Sequence, residues 1–133
     1  MHGDHWDHVA SKRLSKHLPV ISTPNAARIL RSYGFHHAIE LRRWESVKAR
    51  RAGQCLRITA MPGRHGPTIV NAFMPEVMGS MLEWIGAEDE TRYRMYISGD
   101  TLLFSDLEEI PRRYPNIDLG LFHWKEPASL AYF

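Results

Sequence analysis

The chain has 133 residues, of which 44% are hydrophobic and 24% charged, with a formal net charge of +2. That is enough for one domain with a real core and too little for several. No apolar run approaches the roughly 18 residues of a membrane span, the charge is too mild to argue for nucleic acid, and the single cysteine, Cys55, excludes an internal disulfide framework and suits a reducing, cytoplasmic compartment.

The first eight residues, Met1-His2-Gly3-Asp4-His5-Trp6-Asp7-His8, carry three histidines and two aspartates. Imidazole and carboxylate this closely spaced suit a divalent metal that generates a hydroxide nucleophile at neutral pH; the plainer reading is a solvated polar terminus. Pro19 to Ser22 is a short apolar run, after which Thr23-Pro24-Asn25 opens a helix that Gly34 closes, with Ala26, Ile29, Leu30 and Tyr33 at helical spacing. Ala38 to Trp44 and Cys55 to Met61 read as strands separated by a polar, arginine-rich turn ending in Gly53. The second delivers Pro62-Gly63-Arg64-His65 at its end. Met81 to Ile85 and Arg94 to Ser98 form a hairpin around Glu88-Asp89-Glu90, which puts Asp100 just past a strand end. Ser105, with Glu108 three residues on, suggests a capping box for a helix that stops near Tyr114-Pro115. Ile117 to Phe122 is nearly all apolar, the pattern of a strand buried on both faces. Alternating strands and helices without repeats predict an α/β fold.

Four segments in order carry a family resemblance: Met1 to His5 as the end of an H-x-H-x-D-H signature, Pro62-Gly63-Arg64-His65-Gly66-Pro67, Tyr96-Ile97-Ser98-Gly99-Asp100-Thr101, and Asn116 to His123. In these the chain resembles the metallo-β-lactamase-fold hydrolases, in particular their lactonase-like and phospholipase-D-like branch. The resemblance implies a partial αββα sandwich spanning residues 1–133 as one domain. It also implies a binuclear centre in which His2 and His65 serve one metal, Asp4 and His5 the other, and Asp100 bridges both, with Asp4 and Asp100 nearest the chemistry. The implied cofactors are two zinc ions, with manganese or iron also open. The implied reaction is attack of a metal-bound hydroxide on an ester, lactone or phosphodiester of a small-molecule substrate.

The chain departs from that pattern at two places. Met1 falls in an internal motif position, so the first histidine of the signature would precede the chain. After His123 it reads Trp124-Lys125-Glu126-Pro127, where the family continues as Leu-Gly-Gly-Thr-Arg and an apolar run; a single-base deletion would make residues 124–133 an out-of-frame tail. On this reading metal one is held weakly, and the strand at 117–122 is left with an unpaired edge or an exposed apolar face. Two rival classes therefore stand beside the enzyme: an inactive truncated remnant that binds metal weakly, and a polyanion-binding module built on Arg42, Arg43, Lys48, Arg50 and Arg51. Without interleaved aromatics, those cations read better as a solvated face around a turn. Asp7 and His8 suit support of the site, while His17, His36 and His37 match no signature position and read as ordinary surface or core histidines. The tryptophans are expected chiefly in the core, and oligomeric state is not legible.

Overall fold

The computed structural model describes residues 8–64 and 76–123. Helix α1 (His8–Arg13) leads into a β-α-β unit: β1 (Val20–Ser22), α2 (Pro24–Ser32) and β2 (Ala38–Glu40). The start of α2 follows from local chemistry. The Thr23 hydroxyl accepts the Ala26 N–H (3.4 Å), and proline in the first turn needs no N–H partner. Just past its end, Gly34 takes φ +88°, a left-handed conformation that costs glycine little. Ala27, Leu30, Phe35 and Ala38 form a small core with Val20 packed against it, and β1 and β2 pair in parallel. The Lys16 ammonium lies 3.8 Å above the Phe35 ring.

Beyond Glu40 the expected strand ends early. Trp44 adopts φ +68° and the Glu45 carboxylate accepts the Arg42 N–H (2.8 Å), so the chain turns sharply into β3 (Ser46–Arg51). This arginine-rich segment was expected as a turn. It is a strand, paired along its length with β4 (Gln54–Met61), and the turn shrinks to Ala52-Gly53. Both turn residues have positive φ, +50° and +77°, the geometry whose twist matches a two-residue hairpin.

After β4 come β5 (Gly79–Ile85) and β6 (Thr91–Ile97), then a 3-10 turn (Ser105–Glu108) running into α3 (Glu109–Arg113), and finally β7 (Leu119–Leu121). Neighbours in the five-stranded sheet follow chain order, β3-β4-β5-β6-β7, antiparallel except for the parallel β6–β7 pair. The Ser105 capping box does not form: Ser105 begins the 3-10 turn, which has no side-chain cap. The helix nevertheless ends at Arg113, before Tyr114-Pro115.

The α/β expectation and its partial αββα sandwich are corrected here. Tight hairpins join β3 to β4 and β5 to β6, leaving no room for crossover helices. The described residues thus form one largely antiparallel sheet, a separate two-stranded parallel sheet and short helices.

Strand register makes the two faces of the large sheet chemically different. On one face Met61, Met81 and Tyr96 meet Ile110 of α3, with Trp44, Leu107, Tyr114 and Ile117 packed around them. Further along, Lys48, Arg57, Glu83 and Arg94 lie opposite one another in a row. Glu83 is only 2% exposed and is held by Arg57 (3.4 Å) and Arg94 (3.0 Å). The opposite face carries a row of Val47, Ile58, Leu82, Met95 and Leu119, one from each strand. Beside that row, Trp84 and Tyr93 form an edge-on aromatic pair. Ile117 to Phe122 is not buried on both faces: only Leu119 to Leu121 is strand, it pairs on one side among the described residues, and Leu119 and Leu121 are exposed.

Candidate functional site

Strand direction gathers the chemistry-bearing loops. Because β4, β6 and β7 run the same way, their C-terminal ends share one end of the sheet, together with the start of β5 and the arrival of residues 41–45 into β3. The loops after β4 and β6 are tied together there. The Thr101 hydroxyl accepts the Arg64 N–H (2.9 Å), and the Leu102 N–H donates to the Arg64 carbonyl (2.8 Å). The Arg64 guanidinium sits 4.8 Å from the centre of the Phe104 ring. A second set of bonds joins the ends of β6 and β7: the Ser98 N–H reaches the Leu121 carbonyl (2.9 Å), and the His123 N–H donates to Ser98 Oγ (3.0 Å).

Glycine permits this crowding. A Cβ on Gly63 would stand 2.5 Å from the Val77 carbonyl oxygen, and one on Gly99 2.6 Å from that of Met78. Gly99 also adopts φ +63°. The segments 62–64, 76–78 and 98–101 therefore stack at backbone contact, a rigid support for side chains at their ends.

Asp100 and His123 line one open depression with Ile97, Gly99, Leu121 and Phe122. Tyr96 supports Phe122 edge-on, with ring centroids 5.8 Å apart. A carboxylate and an imidazole beside an apolar wall are donor types that suit metal coordination or proton transfer. Of the residues expected from the sequence, Asp100 is at this end. His2, Asp4, His5 and His65 lie outside the described residues, although His65 directly follows Arg64 in the chain. Among the described residues, no group of three or more His, Cys, Asp or Glu side chains is placed to hold a metal. His123 was not counted as a ligand from the sequence. Its position at the end of the segment Asn116 to His123 and just after an apolar strand, like that of Asp100 after β6, was the available signal.

Of the other candidates, Arg42, Arg43 and Trp44 stand at this end, where the chain enters β3. Asp7 lies outside the described residues, and His8 begins α1. His17, His36 and His37 are exposed. The arginine-rich set is exposed too: Arg43 pairs with Asp106, and Lys48 with Asp89 (3.0 Å), whose carboxyl is held below its usual range by that hydrogen bond and the ammonium charge. Trp44 joins the core under Arg113, whereas Trp84 sits on the open apolar face. Cys55 is half-buried.

The fold is that of a known hydrolase structure. The chain is similar to the crystal structure of isothiocyanate hydrolase from Delia radicum gut bacteria, with 20% sequence identity and a TM-score of 0.66 over 86% of this chain. It spans 43% of that protein's length. No family model and no curated protein matches the chain. The metallo-β-lactamase assignment drawn from the sequence motifs is corrected accordingly: no family model carries it, and a structure that shares the fold bears the name isothiocyanate hydrolase. No helix among the described residues is long and apolar enough to cross a membrane.

Proposed function

We propose that the chain is a hydrolase of small molecules, working at the sheet end where β4, β6 and β7 finish. The observation that carries this reading is the meeting of Asp100 and His123 in one depression, on loops locked by Thr101 and Ser98, within a fold shared with a hydrolase. Reaction requires attack of water on an electrophilic carbon or phosphorus, as in an ester, lactone, phosphodiester or isothiocyanate.

Asp100 is suited to hold and orient the attacking water, and His123 to move a proton to the leaving group, since imidazole is the side chain best matched to proton transfer near neutral pH. Ile97, Leu121 and Phe122 form an apolar wall against which the nonpolar part of a substrate would rest. A metal fits this donor set in part. Asp100 and His123 are suitable donors for zinc, manganese or iron, and His2, Asp4, His5 and His65 are the residues that would complete the shell. A divalent ion bound there would acidify its water and offset negative charge developing on the attacked group.

The test is hydrolysis of a panel of 4-nitrophenyl esters, a lactone, a phosphodiester and an isothiocyanate, with and without added zinc or manganese. Asp100→Asn is expected to reduce turnover by about a thousandfold while leaving the far-UV spectrum and melting temperature unchanged. Full activity in Asp100→Asn, or a wild-type chain inert to every substrate with either metal, refutes the reading. Chelation that removes activity would support metal dependence; unchanged activity after complete chelation would confine the mechanism to the protein's own acids and bases.

A further inference from the structure

A second concavity occupies the same end of the sheet. Sheet order places it across the start of β5 from Asp100, because its walls come from the end of β4, from segment 76–78 and from the chain entering β3. Its volume is about 570 Å³, within the range of small-ligand pockets. Leu41, Met61 and Pro62 are buried and give it an apolar floor, continued by Val77 and Met78.

The polar groups at this cavity are not equivalent. The Thr23 hydroxyl is engaged by the Ala26 N–H, and Arg43 is tied to Asp106. Arg42 also lines the cavity, but its guanidinium makes no ion pair or hydrogen bond among the described residues. Its backbone is nevertheless anchored, with the N–H bonded to the Glu45 carboxylate at 2.8 Å. A fixed backbone carrying an uncommitted guanidinium beside an apolar floor suits a ligand with a planar or tetrahedral anion at one end of an apolar chain. Glu76 contributes a negative charge to the same lining and opposes that anion.

We infer that this cavity recognises the acidic end of the substrate: a carboxylate or phosphate against Arg42, an aliphatic stretch over Leu41, Met61 and Pro62, and the scissile group reaching toward Asp100. Two strand spacings separate β4 from β6, about 10 Å, the span of a chain of roughly six to eight bonds. Only the last part, the direction toward Asp100, rests on the hydrolase reading. Anion recognition at Arg42 stands independently of catalysis.

The experiment is equilibrium titration of the full chain with hexanoate, hexyl phosphate and neutral hexanamide at low salt, read by chemical-shift changes or calorimetry. Wild type is expected to bind one or both anions about tenfold more tightly than hexanamide, which corresponds to about 1.4 kcal/mol. The stronger anion identifies the acidic group as carboxylate or phosphate. Arg42→Gln should erase the preference while leaving hexanamide affinity unchanged, Arg42→Lys should restore part of it, and Glu76→Gln should raise it severalfold. Equal binding of all three probes, or an anion preference that survives Arg42→Gln, overturns the inference. Wild-type turnover read beside anion binding separates the two readings: a failed hydrolase reading leaves an inactive wild type with intact, Arg42-dependent anion preference, whereas a failed inference leaves an active wild type without that preference.

Discussion

The two ends of the five-stranded sheet obey different rules. At the hairpin end the β3–β4 turn is short and open: Ala52-Gly53 closes β3 onto β4, and a Cβ added to Gly53 would meet nothing within 4 Å, while at Gly86 in the β5–β6 turn it would meet only the Glu90 and Arg92 side chains, not backbone. At the other end three segments stack so closely that Gly63 and Gly99 have no space for a side chain, and Asp100 and His123 stand on that stack. One end has only to reverse the chain. The other must hold side chains from distant parts of the sequence in fixed relation, and close backbone packing does so without long side chains.

Substitutions of Gly99 and Gly53, positive-φ glycines at opposite ends of this sheet, set this contrast most sharply. Gly99→Val meets both a left-handed backbone at φ +63° and the Met78 carbonyl oxygen at 2.6 Å. It should destabilise the fold by about 3 kcal/mol or more, visible as a large drop in denaturation midpoint. A Gly99→Val protein as stable as wild type would show that the stack is not close-packed in solution.

Midway between the ends, Glu83→Gln tests the buried charge. The change keeps the side chain's size and removes the charge that faces Arg57 and Arg94 at 3.4 and 3.0 Å. Both arginines are partly exposed, so solvent softens the effect, and a loss of about 1 to 2 kcal/mol is expected in urea denaturation. Gly53→Ala belongs to the open end. It carries the φ +77° penalty and no clash, so a loss of about 1 kcal/mol is expected. If Gly53→Ala cost as much as Gly99→Val, the distinction between open and crowded ends would fail.

The smallest effect concerns pH. Burial raises the Tyr96 phenol above its ordinary value of 10.0 in the folded chain. The native state therefore holds that proton more tightly than the unfolded state. Its contribution is complete below pH 10 and declines as pH rises toward and through the raised value. Tyr96→Phe should flatten the alkaline limb of the stability curve and leave neutral pH little changed. An unaltered alkaline limb would assign that loss to other groups.

Much of the local structure was legible. Thr23, Pro24 and Gly34 mark the bounds of α2 because capping, a missing N–H and a left-handed φ are single-residue chemistry. The β5–β6 hairpin was legible from the acidic turn between two apolar runs. β3 was not. Ser46-Val47-Lys48-Ala49-Arg50-Arg51 is an edge strand with most of its side chains in solvent, so little apolar alternation survives to signal it, and backbone pairing with β4 alone makes it a strand. Ile117 to Phe122 misled in the opposite way, because an apolar run cannot say whether one face or both will be covered. Of the expected metal-ligating residues only Asp100 lies among those described. His123 closed one of the segments that carried the family resemblance and stood after an apolar strand, but neither fact gave it a partner.

By itself, the sequence determined what each short stretch could do: where a helix starts, where a turn must be, and which residue types carry acid, base or metal chemistry. These follow from interactions spanning a few residues. Tertiary structure alone decided the strand order, the placing of Asp100 and His123 in one depression and the opposition of Arg42, uncommitted among the described residues, to an apolar floor. Such relations depend on backbone hydrogen bonds between segments far apart in the chain, and a backbone donor or acceptor is the same at every non-proline residue.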